Sequence, residues 1–365
     1  MLSGYIGSFF VRFFGCFLIS FATALIIGPR VIESLKNRQI GQTIRDEGVQ
    51  VHKKKAGTPT MGGIIILIPA LLNCLIWAKF SIPLITVVLA TYGMAFLGMM
   101  DDLTKVLKAR SMGLTPRQKL VGQIFIALLT GIAARYFFSP DGRIFESFSG
   151  NTIPLPSAAT NIPYYGVVEL GILYIPFIIF VMVGASNAVN LTDGLDGLAG
   201  GTGFIAIFAF SIVAFFSGNS DLATFFQIPY LPDCKELAVF CAALMGGCLG
   251  FLWFNSNPAQ VFMGDTGSLA LGGALGALAV SLKSETLLAI VGGIFVVEAL
   301  SVIIQVSYFK YTHGKRVFRM SPIHHHFELG GWAEQKVVAR FCMTGFLMAV
   351  LGLFFLFFRG LVLKF

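Results

Sequence analysis

Charge is what this chain has least of. Of its 365 residues, 12% are Asp, Glu, Lys or Arg, while 56% are hydrophobic. A soluble protein carries roughly twice that share of charge, so an ordinary soluble globular fold is excluded. Cysteine patterning is missing too. The six cysteines contain no CxxC and no Cys/His spacing of a zinc site. Cys16, Cys74, Cys241, Cys248 and Cys342 lie in apolar runs and Cys234 in a loop, so they read as small packing residues. No Walker A or kinase signature occurs, and ATP is not implied. No nucleic-acid motif accompanies the net charge of +8. In so apolar a chain, basic loops report orientation and contact with anionic lipid or substrate. With no linker, low-complexity tract or repeat, residues 1–365 read as a single domain.

What is abundant is long apolar sequence. Runs near twenty residues predict ten membrane spans, centred near Ser20, Leu71, Thr91, Leu128, Ile178, Phe208, Met245, Leu275, Val297 and Ala349. The run 5–27 is too long for a signal-peptide core and lacks a good cleavage site, so it is read as the first span. The eighth run is diluted by glycine. The expected fold is an all-α polytopic membrane protein, a bundle of ten transmembrane helices.

The odd-numbered connections, residues 28–60, 101–119, 187–197, 255–268 and 310–340, hold 18 of the 26 Lys and Arg. The positive-inside bias places these five in the cytoplasm and both termini outside. Every polar motif of the chain falls in one of them. The even-numbered connections 139–165 and 217–235 read as capping loops.

Asp101 and Asp102 end the third span. Adjacent carboxylates repel and favour a cation or a shared proton, and negative charge opposes the dipole at a helix C-terminus. In NAVNLTDGLDGLAGG, residues 187–201, Asn187, Asn190, Asp193 and Asp196 recur at intervals of three, which suits one helical face. One Asp could serve as a helix cap; two Asp and two Asn exceed that need. In NSNPAQVFMGDTGSLALGG, Asp265 stands between glycines at a helix start, where a carboxylate can hold Mg²⁺ and backbone N–H groups can face phosphate. Phe262 is either a base-stacking ring or an interface anchor. SPIHHHFELGG presents His324, His325 and His326, whose side chains must diverge, so at most one or two reach a common ligand. Lys53, Lys54, Lys55 and Lys119 bring cations near the acidic loops, the triplet suiting lipid headgroups or substrate equally. Glu298 lies deep in the ninth span with Gln305 on the same face, both directed at the bundle interior. Clustered carboxylates, glycine turns, lysines and histidine at a membrane surface suit Mg²⁺-assisted phosphoryl transfer.

The motifs KKKAGTPTMGG, MMDDLTK, NAVNLTDGLDGLAGG, GFLWFNSNPAQVFMGDTGSLALGG, VEALSVIIQV and SPIHHHFELGGW resemble, in order and over nearly the whole chain, the phospho-N-acetylmuramoyl-pentapeptide transferases. These form a branch of the polyprenyl-phosphate N-acetylhexosamine-1-phosphate transferase superfamily. The resemblance implies transfer of phospho-MurNAc-pentapeptide from UDP-MurNAc-pentapeptide to undecaprenyl phosphate, giving lipid I and UMP. It also implies an Mg²⁺ cofactor, a homodimer, and a multi-pass location in the bacterial cytoplasmic (inner) membrane. By motif, Asp265 matches the Mg²⁺ ligand, Asp101 and Asp102 the acidic pair of which the first would deprotonate the lipid phosphate, and His324 a catalytic-loop residue, with His325 beside it. Lys55, Thr60, Lys119, Asn190, Asp193, Asp196, Asn255, Phe262 and Gln305 match the nucleotide-sugar cleft. Two rivals are a GlcNAc-1-phosphate transferase, against which PIHHHFEL argues, and a secondary transporter, motivated by Glu298 but opposed by carboxylates gathered at span ends rather than at the midplane.

Overall fold

The computed structural model describes residues 2–38, 57–108, 113–138, 143–145 and 152–362. The chain is mostly helical. Its helices are α1 (Leu2–Asn37), α2 (Ile64–Trp77), α3 (Ile82–Leu107), α4 (Pro116–Tyr136), α5 (Tyr174–Thr192), α6 (Leu198–Ser217), α7 (Ser220–Phe226), α8 (Leu237–Asn255), α9 (Gly264–Ser281), α10 (Glu285–Val291), α11 (Gly293–Tyr311), α12 (Ile323–Glu328) and α13 (Glu334–Val362). Local sequence explains several starts. Ser81 caps α3 ahead of Ile82-Pro83, and Thr115 forms a reciprocal capping box with Gln118 around Pro116 at the start of α4.

All ten expected span centres fall inside helices. Eight of these helices are long and apolar enough to cross a membrane, which makes this a multi-pass membrane protein. The other two are α2, with 14 residues, and α9. Helix α9 is buried at every residue from Thr266 to Ser281. It is flanked by α3 and α5, so its low hydropathy has a physical reason. A helix surrounded by protein gains from small residues that allow close packing, not from bulk that faces lipid. Helix α8 is its counterpart, packed against α1, α2 and α6. The outer helices turn large apolar side chains outward, among them Val11, Phe14 and Leu18 of α1, Ile303 of α11 and Leu347 of α13, as membrane-facing helices do.

Connections of like parity bind one another. Among the odd ones, the Phe262 N–H donates to the Pro59 carbonyl at 2.8 Å, and the Gly197 N–H donates to Asn255 Oδ1 at 2.9 Å. Among the even ones, Ser81 Oγ donates to the Asp233 carbonyl at 2.8 Å and the Asn161 N–H to the Lys283 carbonyl at 2.6 Å. Where a plain loop was expected over 139–165, the chain forms two short antiparallel hairpins, the second running on to Glu169. β1 (Arg143–Phe145) pairs with β2 (Thr152–Pro154), and β3 (Ala159–Ile162) with β4 (Gly166–Glu169). The second hairpin is held by tertiary bonds. Buried Thr160 donates to Glu285 Oε2 at 2.6 Å, and Thr286 Oγ1 donates to the Asn161 carbonyl at 3.0 Å.

Candidate active site

Asp101 and Asp102 occupy the last two turns of α3 and are buried. Their own helix dipole disfavours them, yet a second helix compensates. Helix α9 has no side-chain cap of its own. Asp102 supplies one from α3, accepting hydrogen bonds from the Asp265 N–H at 3.2 Å, the Thr266 N–H at 2.9 Å and Thr266 Oγ1 at 2.8 Å. Negative charge at a helix N-terminus satisfies unpaired N–H groups and favours the dipole. Asp101 accepts from the Leu114 N–H at 2.8 Å, at the entry to α4.

The two helices meet because Gly98 lies one turn before the pair. A Cβ there would stand 2.1 Å from the Asp265 carbonyl oxygen, so only glycine allows this approach. The consequence is a cluster. Asp101, Asp102 and Asp265 each offer an oxygen, all within 4.8 Å of one another. Lys119 Nζ donates to Asp265 Oδ2 at 2.7 Å, and Asn190 Nδ2 donates to Asp265 Oδ1 at 2.9 Å and to Ser268 Oγ at 2.8 Å. Lys105 Nζ stands 2.7 Å from Asp101, 3.6 Å from Asp102 and 3.3 Å from Asp265. One cationic position therefore reaches all three carboxylates. An all-oxygen anionic donor set of this kind fits a hard divalent cation, and the cluster could hold one.

Lys105 was not singled out in the sequence, although its spacing carried the signal. A lysine three and four residues after two aspartates lies on their helical face. Asn187 was expected beside Asn190 but serves another contact, donating to Gln123 Oε1 of α4 at 2.9 Å.

Asp193 stands at the end of α5, half-buried. Burial, with the neighbouring Asp265 and Asp102 carboxylates adding to it, pushes Asp193 up to about 8. Thr60 is buried, its Oγ1 next to Gly264 and on the same side as Asp102. Phe262 is half-buried, with its backbone pinned between Pro59 and Gly62. Lys55 lies outside the described residues.

Three expected cleft residues prove to be loop fasteners as well. Asp196 Oδ2 accepts from Asn257 Nδ2 and from the Ala259 N–H, both at 3.1 Å, while its own N–H donates to Glu334 at 2.8 Å. Asn255 Nδ2 donates to the Val261 carbonyl at 2.8 Å. Gln305 Oε1 accepts from the Val317 and Phe318 N–H groups at 3.1 and 2.9 Å, and its Nε2 donates to the Phe318 carbonyl at 3.2 Å. Together they tie the 193–197, 255–264 and 313–322 segments to the bundle. Asn257 and Glu334 share this network and were not anticipated, their partners being far away in sequence.

The histidines diverge as expected. His324 is fully buried and pairs through Nδ1 with Glu298 Oε1 at 3.0 Å. His325 pairs with Glu328 at 2.8 Å, and His326 Nδ1 accepts from the Arg319 N–H at 3.1 Å. Glu298 thereby has a partner in the 310–340 connection. The arrangement concentrates carboxylates, two lysines and a buried histidine where five connections converge, and it can bind and neutralise anionic phosphates.

Comparison with known proteins agrees with this chemistry. The chain matches the family model described as glycosyl transferase family 4 over residues 84–283, and the phospho-N-acetylmuramoyl-pentapeptide-transferase signature 1 over residues 55–67. It is similar to the phospho-N-acetylmuramoyl-pentapeptide-transferase of Desulfotalea psychrophila, with 47% identity over 94% of this chain and 91% of that protein. The Thermodesulfovibrio yellowstonii enzyme of the same name is 47% identical over 92% of this chain and 90% of the relative. The one from Citrifermentans bemidjiense is 48% identical over 90% and 88%. Matches of this identity over nine-tenths of both chains, joined to the signature, leave one conclusion: the chain belongs to the phospho-N-acetylmuramoyl-pentapeptide-transferase family.

Proposed function

We propose that the chain transfers phospho-MurNAc-pentapeptide from UDP-MurNAc-pentapeptide to undecaprenyl phosphate, releasing UMP and lipid I, at the cytoplasmic face of a bacterial inner membrane. In this reading all ten expected helices cross the bilayer and both termini lie outside, a placement supported by the 18 basic residues in the odd connections. The observation that carries the reaction is the convergence of Asp101, Asp102 and Asp265 with Lys105 and Lys119 at the ends of membrane helices. A lipid phosphate can approach from the bilayer and a soluble nucleotide from the cytosol.

Asp265, with Asp101 beside it, would hold Mg²⁺, and the ion would supply charge neutralisation for the diphosphate. The chain's own residues do the rest. Lys119 and Asn190 fix the two Asp265 oxygens. Asp102 locks the start of α9, so the carboxylates keep their spacing. Lys105 and Lys119 place positive charge where the phosphates gather. A lipid phosphate oxygen attacks the β-phosphorus, the bond to UMP breaks, and UMP leaves. The attacking phosphate is already anionic at neutral pH, so Asp101 takes up at most a remaining proton. Asn190 and Asp193 border the nucleotide-sugar, with Asp196, Asn255 and Gln305 holding the loops around it.

The test is UMP release by purified protein given both substrates and Mg²⁺. Stoichiometric UMP and lipid-linked product, both lost on chelation with EDTA, are expected. Well-folded protein that yields neither would overturn the proposal, and a trapped phospho-sugar ester on any Asp would replace direct attack with a covalent route.

A further inference from the structure

Glu298 lies fully buried near the start of α11, inside an apolar helix. A carboxylate in such surroundings is costly without a partner. Its Oε1 stands 3.0 Å from His324 Nδ1. With Glu298 as the acceptor, the proton of this bond lies on Nδ1. The bond orients the ring.

The other ring nitrogen makes the pair more than a tie between α11 and α12. His324 Nε2 is buried and has no hydrogen-bond partner among the described residues. It points at the turn that carries Asp193: a Cβ on Gly194 would lie 2.3 Å from it. Glycine at 194 is what lets the ring reach that place. Buried polar atoms are nearly always paired; Glu298 Oε2 is likewise without a partner among the described residues, but of the two it is Nε2 that lies against the Asp193–Gly194 turn. A histidine with Nδ1 anchored on a carboxylate and Nε2 presented to a site is arranged to exchange a proton or a hydrogen bond through Nε2.

We propose that Glu298 is the positioning residue of His324: it holds the proton on Nδ1 and aims Nε2 past Gly194 toward the bound diphosphate. This rests on the transfer reaction proposed above and assigns to Glu298 a role in it exerted entirely through His324.

The experiment replaces Glu298→Leu, which keeps the volume and removes the acceptor, and Glu298→Gln, whose side-chain carbonyl can still accept. Two independent readouts are taken on full-length protein in detergent. The first is the ¹⁵N spectrum of histidine-labelled protein, with the His324 signals assigned by their loss in His324→Asn. The expected result is a protonated Nδ1 in the wild type and loss of that state in Glu298→Leu. The second is steady-state UMP release. We expect kcat to fall by roughly 10–100-fold in Glu298→Leu, the usual size of an outer-shell effect. KM should stay within about a factor of two, because a residue acting through His324 does not hold the substrate. Glu298→Gln should recover part of the loss, and Glu298→Leu should cost nothing further in a His324→Asn background. Unchanged ring-nitrogen signals, wild-type kcat, or losses that multiply in the double variant would each overturn the proposal. If Glu298→Leu does not fold, Glu298→Gln decides by the same two readouts. Should the wild type release no UMP, the transfer reading fails while the nitrogen spectrum still tests the positioning.

Discussion

The Asp102 carboxylate of α3 caps the first turn of α9 through Thr266, accepting from both its N–H and its hydroxyl at 2.9 and 2.8 Å. An aspartate that its own helix end disfavours is stabilised by the beginning of another, and the same bonds set the distance between the acidic pair and Asp265. Replacing Thr266→Val removes one of the donors. We expect a stability loss of about 1 kcal/mol, in the range of a lost cap, with a larger proportional loss of turnover. Thermal melting in detergent beside UMP release checks both. Unaltered turnover in a destabilised variant would separate the cap from the site.

Gly98 makes a sharper prediction. A methyl group there meets the Asp265 carbonyl at 2.1 Å, which is backbone and cannot yield as a side chain can. Gly98→Ala should part α3 from α9, costing about 1–3 kcal/mol as overpacking does and dispersing the three carboxylates. Gly184→Ala is the control, since a Cβ there meets nothing within 4 Å, and it should retain full turnover. Equal activity of the two variants would contradict the close-approach account.

Lys105 shares one position with any cation bound by the triad. A unit charge about 4 Å away at an effective dielectric near 20 is worth roughly 4 kcal/mol before screening. Lys105→Met should therefore tighten Mn²⁺ binding to substrate-free protein by at least about tenfold, read by electron paramagnetic resonance, while turnover falls for want of a phosphate partner. Weaker Mn²⁺ binding in the variant would mean that Lys105 supports the metal rather than competing with it.

At the opposite-parity end, Lys283 is buried, donates to the Ser157 carbonyl at 2.8 Å and to Tyr174 Oη at 2.6 Å, and stands 4.4 Å from the Tyr174 ring centre. Lys283→Met should lower stability by about 1.5–3 kcal/mol, the range for hydrogen bonds of a charged donor. It should leave kcat and KM unchanged in the protein that remains folded. A kinetic effect would reveal coupling between the two ends of the bundle.

Helix placement was legible because apolar runs of span length have few alternatives, and all ten centres fell within helices. Helix α9 was marginal for a reason no local window contains: its glycines face protein on all sides. The β3–β4 hairpin was invisible because its strands are four residues each and its anchors, Lys283, Glu285 and Thr286, lie more than 100 residues away. In the site, Asp101, Asp102 and Asp265 stood out by their place at span ends, where carboxylates demand compensation, and their roles came from the resemblance. Their mutual distance was not legible, because it depends on Gly98 and on a cap that crosses between helices. Asp196, Asn255 and Gln305 were expected at the substrate. The bonds they make to distant backbone groups leave no trace in a sequence pattern, and neither does the pairing of Glu298 with His324.

Asp265 is where the contacts of the carboxylate cluster concentrate: Lys119, Lys105, Asn190 and the α9 turn all meet there. If this cluster performs phospho-sugar transfer, UMP release should collapse in Asp265→Asn, which keeps the shape and removes the charge. The expected fall is at least about 100-fold, the size seen when one preorganised electrostatic group is lost, with the melting temperature close to that of the wild type. Turnover within a few-fold of the wild type would contradict that role.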